Sequence, residues 1–190
     1  PGDRVAYIHG PLGAYAEVRN QIASRLVQLP DAISNEQAAA MMLKGLTVWY
    51  LLERTYPVTE KTTLLVHAAA GGVGTLLLQW ANMLGARAIG VVSSEAKAEM
   101  AHRFGAAEVI VHPRGTDAEA INQKVKGLTD GVGVDVVYDS VGKSTFFASL
   151  NSLKPLGMMV SFGNASGAVP AFEPAELAKR GSLFFTRPSL

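Results

Sequence analysis

Apolar positions along this chain come in short blocks, and from Thr62 onward their spacing switches regularly between two patterns. TTLLVHA (62–68) is a continuous apolar run of strand length, and VGTLLLQWANMLG (73–85) places its apolar residues at helical spacing and stops at Gly85. ARAIGVV (86–92) reads as a second strand and SEAKAEMAHRFG (94–105) as a second helix closed by Gly105. AEVIVH (107–112) is a third strand, followed by a polar helix near residues 117–127. VDVVYDS (134–140) makes a fourth strand, KSTFFASLNSL (143–153) a further helix, and GMMVSFG (157–163) and SLFFT (182–186) two last strands. Trp49, Trp80, Phe146 and Phe147 fall in helical patterns and read as core, as does the Met41–Met42 pair.

Strands that are apolar at successive positions need cover on both faces. Repeated strand–helix–strand order with such strands predicts a parallel sheet between two helical layers. Right-handed crossovers make it a doubly wound α/β sheet of the Rossmann type, with six strands.

The front of the chain obeys a different pattern. Residues 1–30 read as β-rich: DRVAYI (3–8), a turn at HGPLG (9–13), AYAEV (14–18), and a further short run before Leu29–Pro30. Ser34 followed by Gln37 has the spacing of a capping box. NEQAAAMMLKGLTVWYLLERTY (35–56) is rich in helix formers, with Gly45 expected as a break or a close-packing point. The expected organisation is a β-rich stretch at 1–33, connecting helices at 34–61 and the strand–helix domain at 62–190. No methionine opens the chain, and GSLFFTRPSL stops just past a strand. Both ends are expected to be cuts in a longer polypeptide.

Composition narrows the function classes. With 190 residues there is room for one large domain, or one and part of another, and the 48% apolar content suits a packed core. A net charge of +1 with interspersed acids and bases excludes nucleic-acid binding by bulk electrostatics. The apolar runs are too short for a membrane span, and the start lacks a signal peptide's basic and apolar regions, so no membrane partner and a cytoplasmic location are expected. The absence of cysteine removes disulfides and thiolate metal sites.

The candidate chemistry sits in VHAAAGGVG (66–74). The dinucleotide fingerprint G-x-G-x-x-G, between a strand and a helix, aligns as Ala69-x-Gly71-x-x-Gly74, with alanine at the first position. Gly71 lets backbone approach a pyrophosphate, Gly72 adds a second bare position, and Gly74 lets the helix lie close to the strand. A helix beginning near Val73 would aim its free N–H groups and positive dipole end at the phosphates. A glycine-rich turn with no ligand is the bland alternative.

Domains that prefer NAD carry an Asp or Glu at the end of the second strand, where it binds the adenosine ribose. Here AIGVV runs into Ser93 and Ser94, 19 and 20 residues past Gly74, and Lys97 follows in the next helix. Hydroxyls and an ammonium without a carboxylate suit a 2′-phosphate, so the cofactor is read as NADP(H). The competing reading makes Ser94 a helix cap and Lys97 a solvated surface lysine.

Together LKGLTVWYLL, VHAAAGGVG, VVYDSVG, MVSFGNASGAV and GSLFFTRPSL resemble, in order and spacing, the zeta-crystallin-like quinone oxidoreductase branch of the medium-chain dehydrogenase/reductase family. The resemblance covers essentially the whole chain. It implies hydride transfer from NADPH to a quinone or similar conjugated carbonyl compound. Gly71, Gly72, Val73 and Gly74 would hold the pyrophosphate, and Ser93 and Lys97 the 2′-phosphate. His112 stands where the family often has a tyrosine, although a histidine beside Pro113 also suits a plain loop. Thr47 matches a threonine near the nicotinamide, or is a helix threonine bonded back to a carbonyl. Phe162 and Gly163 match the stretch lining the nicotinamide pocket; Ser140 and Val141 are weaker candidates, and Asp139 could simply satisfy local backbone. His67 reads as a structural donor, and no residue here makes a convincing general acid.

The resemblance further implies a zinc-free enzyme, expected to use no metal, whose β-rich front domain, GroES-like in fold, ends in residues 1–33. The substrate cleft would lie between the two domains, so the present stretch supplies one wall and is expected to be inactive alone. It also implies a homodimer through the edge strand at 182–186. An enoyl or alkenal reductase of the same family, and a non-enzymatic NADPH-binding crystallin-like role, are the alternatives.

Overall fold

The computed structural model describes residues 2–8, 10 and 12–190. The turn expected at 9–13 includes His9 and Pro11, which lie outside the described residues. The chain forms two compact units, Pro1–Thr47 and Val48–Leu190.

In the first unit, β1 (Val5–Ala6) pairs antiparallel with β2 (Val27–Gln28). AYAEV, expected as a strand, runs through bends instead. Tyr15 and Val18 are exposed, so pairing there would gain no buried face, and a ladder without one is marginal in water. Helix α1 (Asn35–Trp49) begins at the expected capping box. Ser34 N–H donates to Gln37 Oε1 at 2.8 Å, and Gln37 N–H to Ser34 Oγ at 3.1 Å. The helix passes straight through Gly45, where an added Cβ would meet nothing within 4 Å, so Gly45 is neither a break nor a close contact.

The change of pitch comes later, in the second unit, where Tyr50–Thr55 forms a π-helical stretch. Its wider turn is held from the sheet: the buried Tyr138 hydroxyl donates to Leu51 O at 3.1 Å, beside Tyr56 N–H at 3.2 Å.

Six parallel strands follow: β3 (Thr63–His67), β4 (Arg87–Val92), β5 (Glu108–Val111), β6 (Val134–Asp139), β7 (Leu153–Ser161) and β8 (Phe184–Thr186). Their order across the sheet is β5-β4-β3-β6-β7-β8, the doubly wound arrangement expected. Side-chain alternation divides the core in two. Leu64, Val66 and Tyr138 join Leu77, Leu78 and Ala101 from α2 (Gly72–Met83) and α3 (Glu95–Arg103). Leu65, Ile89 and Val137 join Ile121 from α4 (Glu119–Leu128) and Phe146 and Leu150 from α5 (Phe146–Ser152) on the other face. Each fully buried Leu, Ile, Val or Phe among them contributes about 1.5–3 kcal/mol.

Several boundaries differ from the sequence pattern. β7 starts at Leu153 rather than Gly157, with Leu156 in a left-handed conformation (φ 61°) whose N–H bonds Gly181 O. A short helix α6 (Ala175–Lys179) precedes β8, too brief for periodicity to show. Phe146 is fully buried, but Phe147 and Trp49 are exposed, because adjacent helix positions point about 100° apart and cannot share one buried face. Met41 is likewise exposed. Among the described residues no helix is long and apolar enough to cross a membrane.

Ala69, at the fingerprint's first glycine position, is fully buried, and its methyl fits because β4 offers Gly90 opposite it. A Cβ on Gly90 would stand 3.0 Å from Ala69 Cβ and 3.7 Å from those of Ala101 and Ala106. Gly90→Ala is therefore expected to destabilise the chain by about 1–2 kcal/mol. Adding Ala69→Gly should recover part of that loss in denaturant unfolding, and strictly additive costs would refute the coupling.

Candidate functional site

The carboxyl ends of β3, β4, β5 and β6 open on one cavity of about 790 Å³. This is the crevice at which the strand order reverses, where doubly wound sheets bind ligands.

From β3 the chain turns at Ala68, which takes a left-handed φ of 50°. Gly71 N–H closes the turn on Ala68 O at 2.8 Å. An alanine in this conformation costs roughly 1–2 kcal/mol that glycine would not, and no local residue pattern marks it. Gly71 stands at the N-cap of α2 in extended conformation, and no side chain caps the helix, so its first N–H groups stay open. A Cβ on Gly74 would lie 2.5 Å from Ala68 O and 2.6 Å from Ala69 O, so only glycine lets α2 come this close. Gly71 and Ala68 line the cavity. Gly72, Val73 and Gly74 form the helical turn that follows: Gly72 is exposed, Val73 packs on the core and Gly74 is buried.

At the tip of β4, Lys97 Nζ donates to Ser93 Oγ at 3.1 Å, and both residues line the cavity. Ser94 occupies the N-cap of α3 without its hydroxyl capping it. His112 N–H bonds Val92 O at 2.8 Å, which extends the β4–β5 ladder and places His112 at the cavity beside that tip. Its ring lies 3.2 Å from the Thr116 hydroxyl. Arg114 and Thr116 also line the cavity, and sequence reasoning missed both. The signal was available: Pro-Arg-Gly marks a tight turn, and Gly115 has the positive φ (83°) that such a turn demands. No Asp or Glu is among the lining residues, which include Lys97, Arg114, His67 and His112.

The far wall is built around a buried acid. Asp139 is fully enclosed and accepts four hydrogen bonds. Oδ1 receives Val141 N–H at 2.7 Å and Gly142 N–H at 3.0 Å; Oδ2 receives Thr145 Oγ1 at 2.7 Å and Ser149 Oγ at 2.9 Å. Since the one Ser149 hydroxyl proton goes to Asp139, its lone pair accepts His67 Nε2–H at 2.9 Å, which assigns the histidine tautomer. His67 lines the cavity but commits its proton away from it, consistent with the structural donor expected.

Ser140, Phe162 and Gly163 come together through backbone. Phe162 N–H bonds Asp139 O at 2.9 Å, and a Cβ on Gly163 would stand 2.5 Å from Ser140 O. None of the three lines the cavity; their neighbours Val141 and Ala165 do. Phe162 instead packs against the core. Thr47 belongs to the first unit, and its hydroxyl donates to Leu43 O at 2.8 Å, the back-bond of a helix threonine.

Burial holds the His67 pKa below the ordinary 6.5; the Asp139 charge opposes that shift and His112 adds to it. The imidazole is thus neutral in the folded chain, whereas the unfolded chain takes up a proton as pH falls below 6.5. The stabilisation tied to His67 is whole above that pH and is lost as pH drops through it. The thermal midpoint should fall between about pH 7 and pH 5, with a shallower slope in His67→Gln. An undiminished slope in that variant would assign the loss to other groups.

A family model for zinc-binding dehydrogenases matches residues 72–186. A quinone oxidoreductase of Pseudomonas aeruginosa is 52% identical over 189 residues, covering 100% of this chain and 57% of that protein. A 2-haloacrylate reductase of Burkholderia is 43% identical over 192 residues, again over 100% of this chain and 56% of the relative. The Escherichia coli quinone oxidoreductase solved in complex with NADPH superposes with a TM-score of 0.92 at 50% identity, over 99% of this chain and 56% of that one. The chain thus spans little more than half the length of these relatives. It belongs to the zinc-binding dehydrogenase family, with quinone oxidoreductases among its close relatives.

Proposed function

We propose that this chain is the cofactor-binding part of an NADPH-dependent quinone oxidoreductase. The observation that carries the reading is the cavity itself: an uncapped helix start behind a glycine loop, facing a rim that holds two cations and no carboxylate. Gly71 and Gly72 offer bare backbone to a pyrophosphate, Val73 anchors the first turn of α2 in the core, and Gly74 keeps that turn close to the loop. Helix N–H groups and the positive end of the α2 dipole favour the anion there. Ser93 and Lys97 bind the 2′-phosphate, and His112 flanks them. On the β6 and β7 side, Ser140, Phe162 and Gly163 set the course of the loops that form the nicotinamide wall. Bound NADPH would supply the hydride for a quinone or similar conjugated carbonyl acceptor. The residues of this chain orient the cofactor and shield it from water.

The family's description names zinc, but the donors here do not fit that ion. The chain has no cysteine, and among the described residues no group of three or more His, Asp or Glu side chains could hold a metal. No step of the proposed reaction passes through a metal. The 2-haloacrylate reductase relative supports a second reading in which the acceptor is a conjugated alkenoate. Both readings use the same cofactor site and differ in the wall that faces the substrate. Residues 1–33 are read as the tail of a β-rich substrate domain, and a cytoplasmic location fits the whole.

Titration of the chain with NADPH and NADH is expected to show clear preference for NADPH. Lys97→Glu and Ser93→Asp should each weaken NADPH by about 10- to 100-fold, the worth of a hydrogen bond to a charged group, and move NADH far less. Preference for NADH in the unmodified chain would overturn the reading.

A homodimer through β8 belongs to the same proposal. That strand is the sheet edge, and Phe184 on it is 54% exposed, so an unpaired ladder and an apolar side chain face outward together. Light scattering on the eluted protein should give a dimer's mass at high concentration; a monomer throughout would exclude this pairing.

A further inference from the structure

We propose that Arg114 is a second cation for the 2′-phosphate, opposite Lys97, and that it strengthens the preference for NADPH over NADH. The proposal rests on the reading of the cavity as an NADPH site, and it adds a residue that neither the fingerprint nor the family resemblance assigns.

The turn after β5 puts Arg114 where this requires. Pro113 and Thr116 close the turn, with Thr116 N–H and Oγ1 both directed to Pro113 O, at 3.4 and 2.7 Å. Gly115 supplies the positive φ, and Arg114 occupies the leading corner, at the cavity. The root of the turn is fixed by the His112–Val92 hydrogen bond, so it rises directly beside the tip of β4, which carries Ser93 and leads to Lys97. Adjacent strands lie about 4.8 Å apart, a span that one phosphate group bridges with an oxygen directed to each side.

Charge favours the same assignment. Arg114 has no carboxylate partner among the described residues, and no acid lines the cavity to neutralise it. Lys97 is already turned toward Ser93 and acts there as a compact point charge. A guanidinium contributes something different: a planar fork that matches two phosphate oxygens and cannot lose its proton. A 2′-phosphate carries roughly two negative charges near neutral pH, so one ammonium leaves it under-neutralised and a second cation completes the site.

The test compares the unmodified chain, Arg114→Gln, Arg114→Lys and Lys97→Glu by calorimetric titration. The ligands are NADPH, NADH, adenosine 2′,5′-bisphosphate and 5′-AMP. Arg114→Gln should weaken NADPH and the bisphosphate about tenfold while NADH and 5′-AMP shift less than about twofold. Arg114→Lys should regain part of the loss, since charge returns without the fork. Unchanged NADPH affinity in Arg114→Gln, with Lys97→Glu weakened, would overturn the role of Arg114 and leave the cofactor reading standing. Equal weakening of NADPH and NADH would overturn it too, by showing that the side chain only supports the turn. An unmodified chain that fails to prefer NADPH to NADH would instead overturn the parent reading, and this assignment with it.

Discussion

The carboxyl edge of the sheet depends on how near the first turn of α2 comes to the carbonyls of Ala68 and Ala69. At Gly74 the space left is smaller than a methyl group, with both carbonyl oxygens within 2.6 Å of where a Cβ would stand. Contact exclusion therefore sets the electrostatics. A helix forced outward would carry its open N–H groups and dipole away from the loop, and such fields fall off within about one turn. The same economy recurs across the sheet, where Gly90 leaves room for the Ala69 methyl. The pairing explains why the loop tolerates alanine where its fingerprint has glycine: the missing volume has moved to the neighbouring strand.

The second fixed point is Asp139. An ionised carboxylate without partners could not be buried at this depth, but four donors from one loop and one helix surround it. Through Ser149 it also sets the tautomer of His67, so the ends of β3 and β6, which flank the crevice, are joined by one chain of hydrogen bonds. The loops after β6 and β7 are then laced by backbone, with Ala165 N–H on Ser140 O and Ser166 N–H on Val141 O. Backbone lacing of this kind holds Ser140 and Gly163 near each other while their neighbours form the cavity wall.

Much of this was legible in the sequence because period and composition agreed. Six apolar runs between helical segments gave the sheet, and Ser34 with Gln37 gave the start of α1. The glycine loop and the missing acid after β4 pointed to Gly71, Ser93 and Lys97, all of which line the cavity. What stayed hidden depends on relations between distant positions. AYAEV has strand chemistry, but strand formation needs a covered face, which local sequence does not report. Gly45 looked like a break, yet a glycine facing open space only weakens a helix, and the change of pitch came where Tyr138 could hold it. Ala68 in a left-handed turn carries no local mark, since the glycines sit three residues on. Arg114 was passed over because a charged residue in a loop is ordinary until the fold shows what it faces.

The distribution of charge explains how a nearly neutral chain can line one hollow with two cations and no acid. A net charge of only +1 gives the chain as a whole little pull on anions. Selectivity must come from placement within a few ångströms, where screening by salt has little room to act. Asp139, behind the wall formed by Val141 and Thr145, is consumed by four donors, while Lys97 and Arg114 at the rim have no acidic partner among the described residues. Turning one carboxylate into the core and leaving two cations at the edge creates a local potential that total charge conceals. A carboxylate at the end of β4 would cancel it at once, and there the chain has two serines instead.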